Sequence, residues 1–571
     1  MTTWDLTALF KNEKELEETA LELRTKCQNF KNSYEKNFLN LKTDEFLKAF
    51  DIYESLLMRI SKVSTYAFLV FAKDMSKGAF YAKFEDICTK AQENLLFFEI
   101  MFNEFDDAKQ QNIIKASKTH GYYLSNVAKA KAHQLSVKEE QILLRTANTG
   151  SDGFARLFDE TMSAMKFKFK GERLGEEEIL SKLHDKDRNV RKLAAKSLSD
   201  TLAKNQHLFG YIYNMIKTSL KTSCELRNFK LPEEPRHLEN QTSKKSVDAL
   251  IKVTEANFDL VSKFYDKKRK ILGLKKLYDY DRYAPLEGES EYKFQKCKNI
   301  VLKAFRDFSP KFGAIAQRAF DEGWIDVYPT PNKRGGAFSH SGSPDAHPYV
   351  LLNHTDGRRD LFTLAHELGH AIHQNLSYGV GFLNAETPLT TAETASVFCE
   401  MLVFDYVKNT LKGKEKISLL AGKIEDIFAT LYRQINFTTF ERRIHAYEGE
   451  ISLETINQIW QQESAKMFGK SVVLNDYYKI WWSYIPHFIH TPFYCYAYSY
   501  AQLLVLAIFG LFKSGKCENF VQIYTEFLSL GGSRSPKELV AKFGFDIEDA
   551  KFWQIGINEV KKLVDEFEGL K

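Results

Sequence analysis

The segment His366-Glu367-Leu-Gly-His370 places two imidazoles four residues apart with a carboxylate between them. On an α-helix, residues four apart lie one turn along and nearly in line. His366 and His370 can therefore grip one zinc ion, for which neutral imidazole is a preferred ligand. Glu367 falls beside such an ion rather than on it, where it can take a proton from a zinc-activated water. Leu361, Leu364, Ala365 and Leu368 flank these residues and predict a buried helix. Burial excludes water and strengthens the pull of a metal on a substrate oxygen.

A catalytic zinc needs a third protein ligand and one open position. The metzincin pattern would require Gly at 373 and His at 376, but the chain has His373 and Leu376, so that class is excluded. The ligand is then a downstream carboxylate. Glu386 precedes Pro388 in a loop, whereas Glu393 and Glu400 fall in a helical-looking segment. The intervening loop, 375–389, is long enough for this second helix to return and present Glu393, which is our choice. Glu400, two turns further on the same face, is placed to orient a ligand imidazole from behind. Three His on consecutive turns converge poorly on one ion, so His373 is read as a supporting or structural residue. A second cluster, at 484–500, alternates Tyr494, Tyr496, Tyr498 and Tyr500 after His487 and His490. On a helix these tyrosines form two faces. A hydroxyl on one of them is a suitable donor to the oxyanion formed when water attacks a carbonyl.

The elements that must position these groups are mainly helical. Only 12 of 571 residues are proline, and none precedes Pro232, which suits long helices. Leu56, Leu57, Ile60, Val63 and Ala67 recur at helical spacing, as do Val190, Leu193, Ala194, Ser197 and Leu198. Another helix is expected after Ser246, carrying Val247, Leu250, Ile251, Phe258 and Val261. Met165, Phe167 and Phe169 alternate with lysines up to Gly171, the period of a half-exposed strand. Gly336-Ala-Phe-Ser and Tyr349-Val-Leu-Leu-Asn flank a turn-rich stretch and read as an irregular hairpin. The organisation expected is an N-terminal helical domain over 1–200, with a short β element near 160–170, and a catalytic region over 201–571.

Composition narrows the function classes. With 80 Lys and Arg against 75 Asp and Glu, the formal charge is +5, too small over this length to argue for nucleic acid. The seven Cys are scattered and odd in number, which fits neither a disulfide framework nor a Cys-based zinc site and points to a reducing compartment. No secretory leader is recognisable, and the apolar run from Leu503 to Phe512 is too short to span a membrane. A soluble, cytoplasmic protein without membrane or nucleic-acid partners is expected.

His366-Glu-Leu-Gly-His-Ala-Ile-His resembles the H-E-x-G-H-x-x-H pattern of the M3 family of zinc oligopeptidases. Lys333-Arg-Gly-Gly-Ala-Phe-Ser, Tyr349-Val-Leu-Leu-Asn, Pro486-His-Phe and Phe493-Tyr-Cys-Tyr look most like its oligoendopeptidase F branch, which is related to thimet oligopeptidase and neurolysin. The resemblance implies a mainly α, zincin-type, clam-shaped molecule with a deep substrate channel and a small β element beside the metal. It implies one zinc per chain, with Glu393 as third ligand, and Tyr496 and His487 assisting the oxyanion and substrate. Tyr494, Tyr498 and His490 are further candidates for substrate contact. Gly335, Gly336, Ala337 and Phe338 could pair with an extended substrate backbone. The activity expected is hydrolysis of internal bonds in short unfolded oligopeptides. A zinc carboxypeptidase of related helical fold and a non-catalytic peptide-binding scaffold are the alternatives.

Overall fold

The structure, a computed structural model, describes residues 2–286, 288 and 291–570. It is mainly helical, with a two-stranded and a three-stranded sheet among the described residues. The chain divides into two compact units, each built from separated segments. One comprises Met1–Ala132, Ser290–Asn409 and Cys517–Phe543; the other comprises His133–Glu289, Thr410–Lys516 and Gly544–Lys571. The division by compactness thus crosses the chain several times rather than once near residue 200.

In the first unit, the helices Glu13–Tyr34, Thr43–Lys73 and Gly78–Glu93 bury one apolar stripe each. Leu56, Ile60, Val63 and Ala67 lie on the buried face of the second, as their spacing predicts. Phe38, Phe46, Phe98 and Phe105 pack ring against ring at the centre of this core. The same core continues to Tyr349 and Leu351. These two residues belong to the strand Tyr349–Leu351, the middle of the three-stranded sheet. Ile325–Asp326 runs parallel on one side of it, and Phe338–His340 runs antiparallel on the other, with Ser339 opposite Val350. The hairpin read from the sequence is therefore present, and Phe338–His340 is an edge strand anchored to the helical core through its neighbour.

In the second unit, Phe167–Phe169 pairs with Glu172–Leu174 through a turn at Lys170 and Gly171, both at positive φ (48° and 93°). Phe167 and Phe169 face inward and Lys168 outward. The residues just before, Ser151–Ala164, are helical. The long helix Arg188–Leu226 follows, burying Val190, Ala194 and Leu198. Tyr496–Ser514 is longer than the apolar run within it. It and Thr43–Lys73 are apolar and long enough by composition to cross a membrane, yet 78% and 39% of their respective apolar windows are buried inside the protein. Tyr496–Ser514 packs against the C-terminal helix Ala550–Gly569 as a core element. All seven cysteines are free, six of them buried.

Candidate metal centre and active site

The helix Arg358–Ser377 carries His366, Glu367 and His370. Its first turn is closed by Asp360, whose Oδ2 accepts the backbone N–H groups of Thr355 at 2.8 Å and Gly357 at 3.0 Å. An acidic residue here also favours the positive end of the helix dipole. Leu361, Leu364, Ala365, Leu368, Ala371 and Ile372 are completely buried, which fixes the rotation of the helix and turns His366 and His370 toward an open cavity. Gly369 has a steric reason to be glycine. A Cβ there would lie 2.6 Å from Ser396 Cα and 2.7 Å from the Ala395 carbonyl oxygen. The backbone around residues 395 and 396 therefore crosses in direct contact with the helix.

This close crossing delivers Glu393. The residue is not inside a helix; it sits at the turn between Leu389–Ala392 and the helix Ser396–Lys408. Its Oε2 lies 3.3 Å from His366 Nε2 and 3.3 Å from His370 Nε2. Ser396 Oγ donates to the same carboxylate oxygen at 2.5 Å. Glu400, on the helix Ser396–Lys408, places Oε2 3.4 Å from His366 Nδ1, the ring nitrogen turned away from Glu393. Together His366, His370 and Glu393 form a group whose ligand atoms all lie within 4.8 Å of one another. Two imidazole nitrogens and one carboxylate oxygen, with a carboxylate behind one imidazole, suit a divalent metal of borderline softness.

The electrostatics follow from this crowding. Burial disfavours a proton on His366, but hydrogen bonds to Glu393 and Glu400 outweigh it and raise the group to about 10. Burial pushes Glu393 up, and the two imidazoles more than reverse this, holding it well below the usual carboxylate range. Glu367 is raised, chiefly by burial, against the pull of His366 and His370. His373 is fully enclosed, and burial with the nearby His370 lowers it to about 3. It is a neutral residue lining the cavity and does not belong to the metal-ligand group.

The cavity, about 790 Å³, is lined by Ala337, Phe338 and Ser339 as well as His366, Glu367 and His370. Gly335 and Gly336 lie on the exposed approach to the edge strand and do not line it. Gln374 joins strand to helix. Ser339 Oγ donates to its Oε1 at 2.8 Å, and its Nε2 donates to the Ser339 carbonyl at 3.2 Å. The Ser339 backbone N–H meets Glu367. Neither Gln374 nor Ser396 was singled out from the sequence. Gln374 is eight residues from His366 and four from His370, hence on the same face of the helix. Ser396 follows Glu393 by three, a spacing at which a hydroxyl can reach back.

His487 and the tyrosines belong to the second unit. Tyr496, the tyrosine placed at the oxyanion by resemblance, is completely buried, with its hydroxyl 2.9 Å from both His237 Nδ1 and Asn240 Nδ2. The opposite face carries the accessible hydroxyls, since tyrosines two apart on a helix cannot share a side. Tyr498 OH lies 3.2 Å from His487 Nε2, and the Tyr494 ring packs 5.1 Å from that of Tyr498. His487 is lowered by burial and by the nearby charges of Arg433 and His490, so it is neutral at pH 7. His490 is exposed and turned to Asp159 Oδ1 at 2.8 Å.

A mainly helical protein with H-E-x-x-H on a buried helix and a carboxylate supplied by the following segment has the architecture of a helical peptidase. The chain belongs to peptidase family M3, whose description matches residues 181–559. A second description, oligopeptidase F, matches residues 102–167. Among relatives, an oligoendopeptidase F homolog of Borreliella burgdorferi is 28% identical, with 99% of this chain and 97% of that protein covered. Oligopeptidase PepF of Bacillus subtilis is 27% identical over 92% of this chain and 81% of its own length. Two solved structures share the fold. One from Chlamydophila abortus has a TM-score of 0.90 at 24% identity, covering 100% of this chain and 98% of that one. The other, oligoendopeptidase-F from Enterococcus faecium, has a TM-score of 0.71 at 21% identity over 97% and 98%.

Proposed function

We propose that this peptidase is a zinc metalloendopeptidase that cleaves internal bonds of short, unfolded oligopeptides. The observation that carries the reading is the convergence of His366, His370 and Glu393, with Glu367 beside them under the edge strand. One zinc ion held by these three side chains would supply a Lewis acid for the peptide carbonyl and acidify the attacking water. Glu367 accepts the proton of that water and passes it to the leaving amine. Its raised pKa makes it a stronger base toward that water than an ordinary carboxylate, and the leaving amine, more basic still, takes the proton from it.

Orientation of the substrate falls to the edge strand. Ser339 already shares its outward backbone groups with Glu367 and Gln374. With a two-residue repeat along a strand, Ala337 is the next outward position, and it supplies the N–H and C=O for an extended peptide. Main-chain pairing gives affinity with little side-chain selection, and it requires an unfolded substrate. On the second unit, His487 and Tyr498 are assigned to substrate contact, with Tyr494 beside them in a packing role. The names of the relatives favour oligopeptides as substrates.

An internally quenched peptide blocked at both ends tests the reading. Wild type should cleave it, which a carboxypeptidase cannot do. Glu367→Gln should retain about one zinc per chain and lose activity by several orders of magnitude; appreciable residual turnover rejects Glu367 as the base.

A further inference from the structure

A second cavity, about 350 Å³, lies within the second unit. Two guanidiniums, Arg282 and Arg433, line it, with the Tyr283 side chain and the apolar side chains of Val261, Phe428 and Met467. Arg282 is 7% exposed. It donates to the Asp279 carbonyl at 3.1 Å, to Tyr283 OH at 3.1 Å and, at the limit of 3.5 Å, to Tyr478 OH. Aromatic faces take up the rest of its surface, with Phe468 at 4.6 Å and Tyr283 at 4.8 Å. Arg433 is half-buried, lies 5.1 Å over the Phe437 ring, and has one long contact, 3.5 Å to Tyr484 OH. Among the described residues, neither guanidinium has a carboxylate within ion-pair distance.

The nearby acids are engaged elsewhere. Glu425 also lines the cavity, but it is bonded to Lys268, whose ammonium donates to the Arg282 carbonyl at 2.5 Å as well. Asp279 is completely buried and accepts from the Asn475 side chain at 2.5 Å. Asp426 lines the cavity but is exposed to solvent. A guanidinium carries five donors in a planar fork suited to a carboxylate. Holding Arg282 out of water, and Arg433 partly so, without a carboxylate is costly. Tyrosine hydroxyls and ring faces reduce that cost without neutralising the charge. The cavity therefore offers paired positive charge at one place and an apolar wall at another.

The position of the charge matters as well. Arg433 reaches Tyr484 OH at 3.5 Å, three residues before His487, and its charge adds to the burial that lowers His487. His487 in turn meets Tyr498. The cavity thus adjoins the face of the second unit to which substrate contact is assigned above.

We propose that the Arg282–Arg433 cavity is a carboxylate subsite that takes the C-terminal residue of a short peptide, its α-carboxylate on the two guanidiniums and an apolar side chain against Val261, Phe428 and Met467. The inference rests on the peptidase reading, and it gives that reading a reason to favour short chains. A free C-terminus is available in every oligopeptide, whereas in a folded protein it is one group among hundreds of residues.

The test compares one quenched peptide as its free acid and as its C-terminal amide. A third version is amidated and ends in Glu, which separates a terminal carboxylate from an acidic side chain. For wild type the KM of the acid should be about 10–100-fold below that of the amide, the equivalent of roughly 1.4–2.8 kcal/mol. In Arg433→Gln that ratio should collapse toward one, and Arg433→Lys should restore part of it. Arg433 is used because Arg282 is built into the core and its removal could unfold the protein; a thermal unfolding midpoint near wild type for Arg433→Gln is the required control. Calorimetric binding of the same peptides to Glu367→Gln reads the preference without turnover. Acid-over-amide preference in binding with no cleavage by wild type would sink the endopeptidase reading alone. Equal affinity for acid and amide in wild type, or an unchanged ratio in Arg433→Gln, would overturn the subsite. Tight binding of the Glu-ending amide would move the assignment from the α-carboxylate to an acidic side chain and reject the terminal form proposed.

Discussion

Gly369→Ala is the smallest change that should damage the centre without touching any proposed ligand. The added Cβ would sit 2.6 Å from Ser396 Cα and 2.7 Å from the Ala395 carbonyl oxygen. Carbon atoms pack best at about 3.5–4.0 Å, so roughly 1 Å of separation must be found. Both obstacles are backbone, and neither can rotate aside. Alanine gains about 1 kcal/mol of helix propensity over glycine, while overpacking costs about 1–3 kcal/mol, so net stability should change by at most about 2 kcal/mol. Function should change far more. Displacing residues 395 and 396 carries Ser396 Oγ, and with it Glu393, away from His366 and His370, where the carboxylate now lies 3.3 Å from each ring. An error of about 1 Å in a catalytic constellation costs on the order of 100-fold in rate. Zinc affinity, read by competition with a coloured chelator, and kcat/KM on the quenched peptide should therefore fall together, with the unfolding midpoint within a few degrees of wild type. Gly379→Ala, where a Cβ meets nothing within 4 Å, is the control. Wild-type zinc affinity and turnover in Gly369→Ala would refute the view that this backbone crossing sets the site.

The remaining predictions separate supporting groups from bystanders. Glu400→Gln should weaken zinc binding about 10–100-fold by loosening the His366 ring, while Ser396→Ala should cost about tenfold through loss of one hydrogen bond to the ligand carboxylate; chelator competition measures both, and unchanged affinity in either removes its role. Tyr498→Phe should lower kcat/KM by about tenfold or more through loss of one hydrogen bond to substrate. Tyr496→Phe should instead cost about 1 kcal/mol in urea unfolding with kcat nearly unchanged, because its hydroxyl serves His237 and Asn240; the reverse pattern would restore Tyr496 to the substrate. His445 is partly buried with its Nε2 shielded from solvent, and this burial, with the charge of Lys217, lowers it to about 3. The unfolded chain binds a proton there below about pH 6.5 while the folded chain does not, so this group makes stability fall as pH drops from 6.5 toward 3. His445→Phe should show a shallower loss between pH 7 and pH 5 by chemical denaturation, and an identical slope would argue against a buried neutral imidazole.

The sequence carried the parts of this structure that depend on local periodicity and lost those that depend on where the chain returns. The shared face of His366 and His370 on Arg358–Ser377 was legible because helical geometry alone aligns positions 366 and 370. The inward set at Phe167 and Phe169 was equally plain from alternation. Leu193 was grouped with the buried face of its helix, yet it is 45% exposed; it lies 100° from Ala194, at the edge of the stripe that Val190, Ala194 and Leu198 define. The helix expected to carry both Val247 and Val261 is two, Lys244–Glu255 and Asp259–Ile271, broken near Phe258 without a proline or glycine to announce it. Glu393 was chosen for its distance along the chain, but its place in a turn rather than a helix depends on the contact at Gly369, which only the fold supplies. The choice among the tyrosines was open for a related reason. Alternation on a helix predicts two faces, and only tertiary packing against His237 and Asn240 decides which one is inside.

Anomalous diffraction at the zinc absorption edge, on crystals of the zinc-loaded protein, tests the central claim most directly. One strong peak is predicted per chain, about 2.0–2.2 Å from His366 Nε2, His370 Nε2 and a Glu393 carboxylate oxygen, with Glu367 outside the coordination sphere. A peak with Glu367 as a ligand in place of Glu393, or no peak between the two imidazoles, would contradict it.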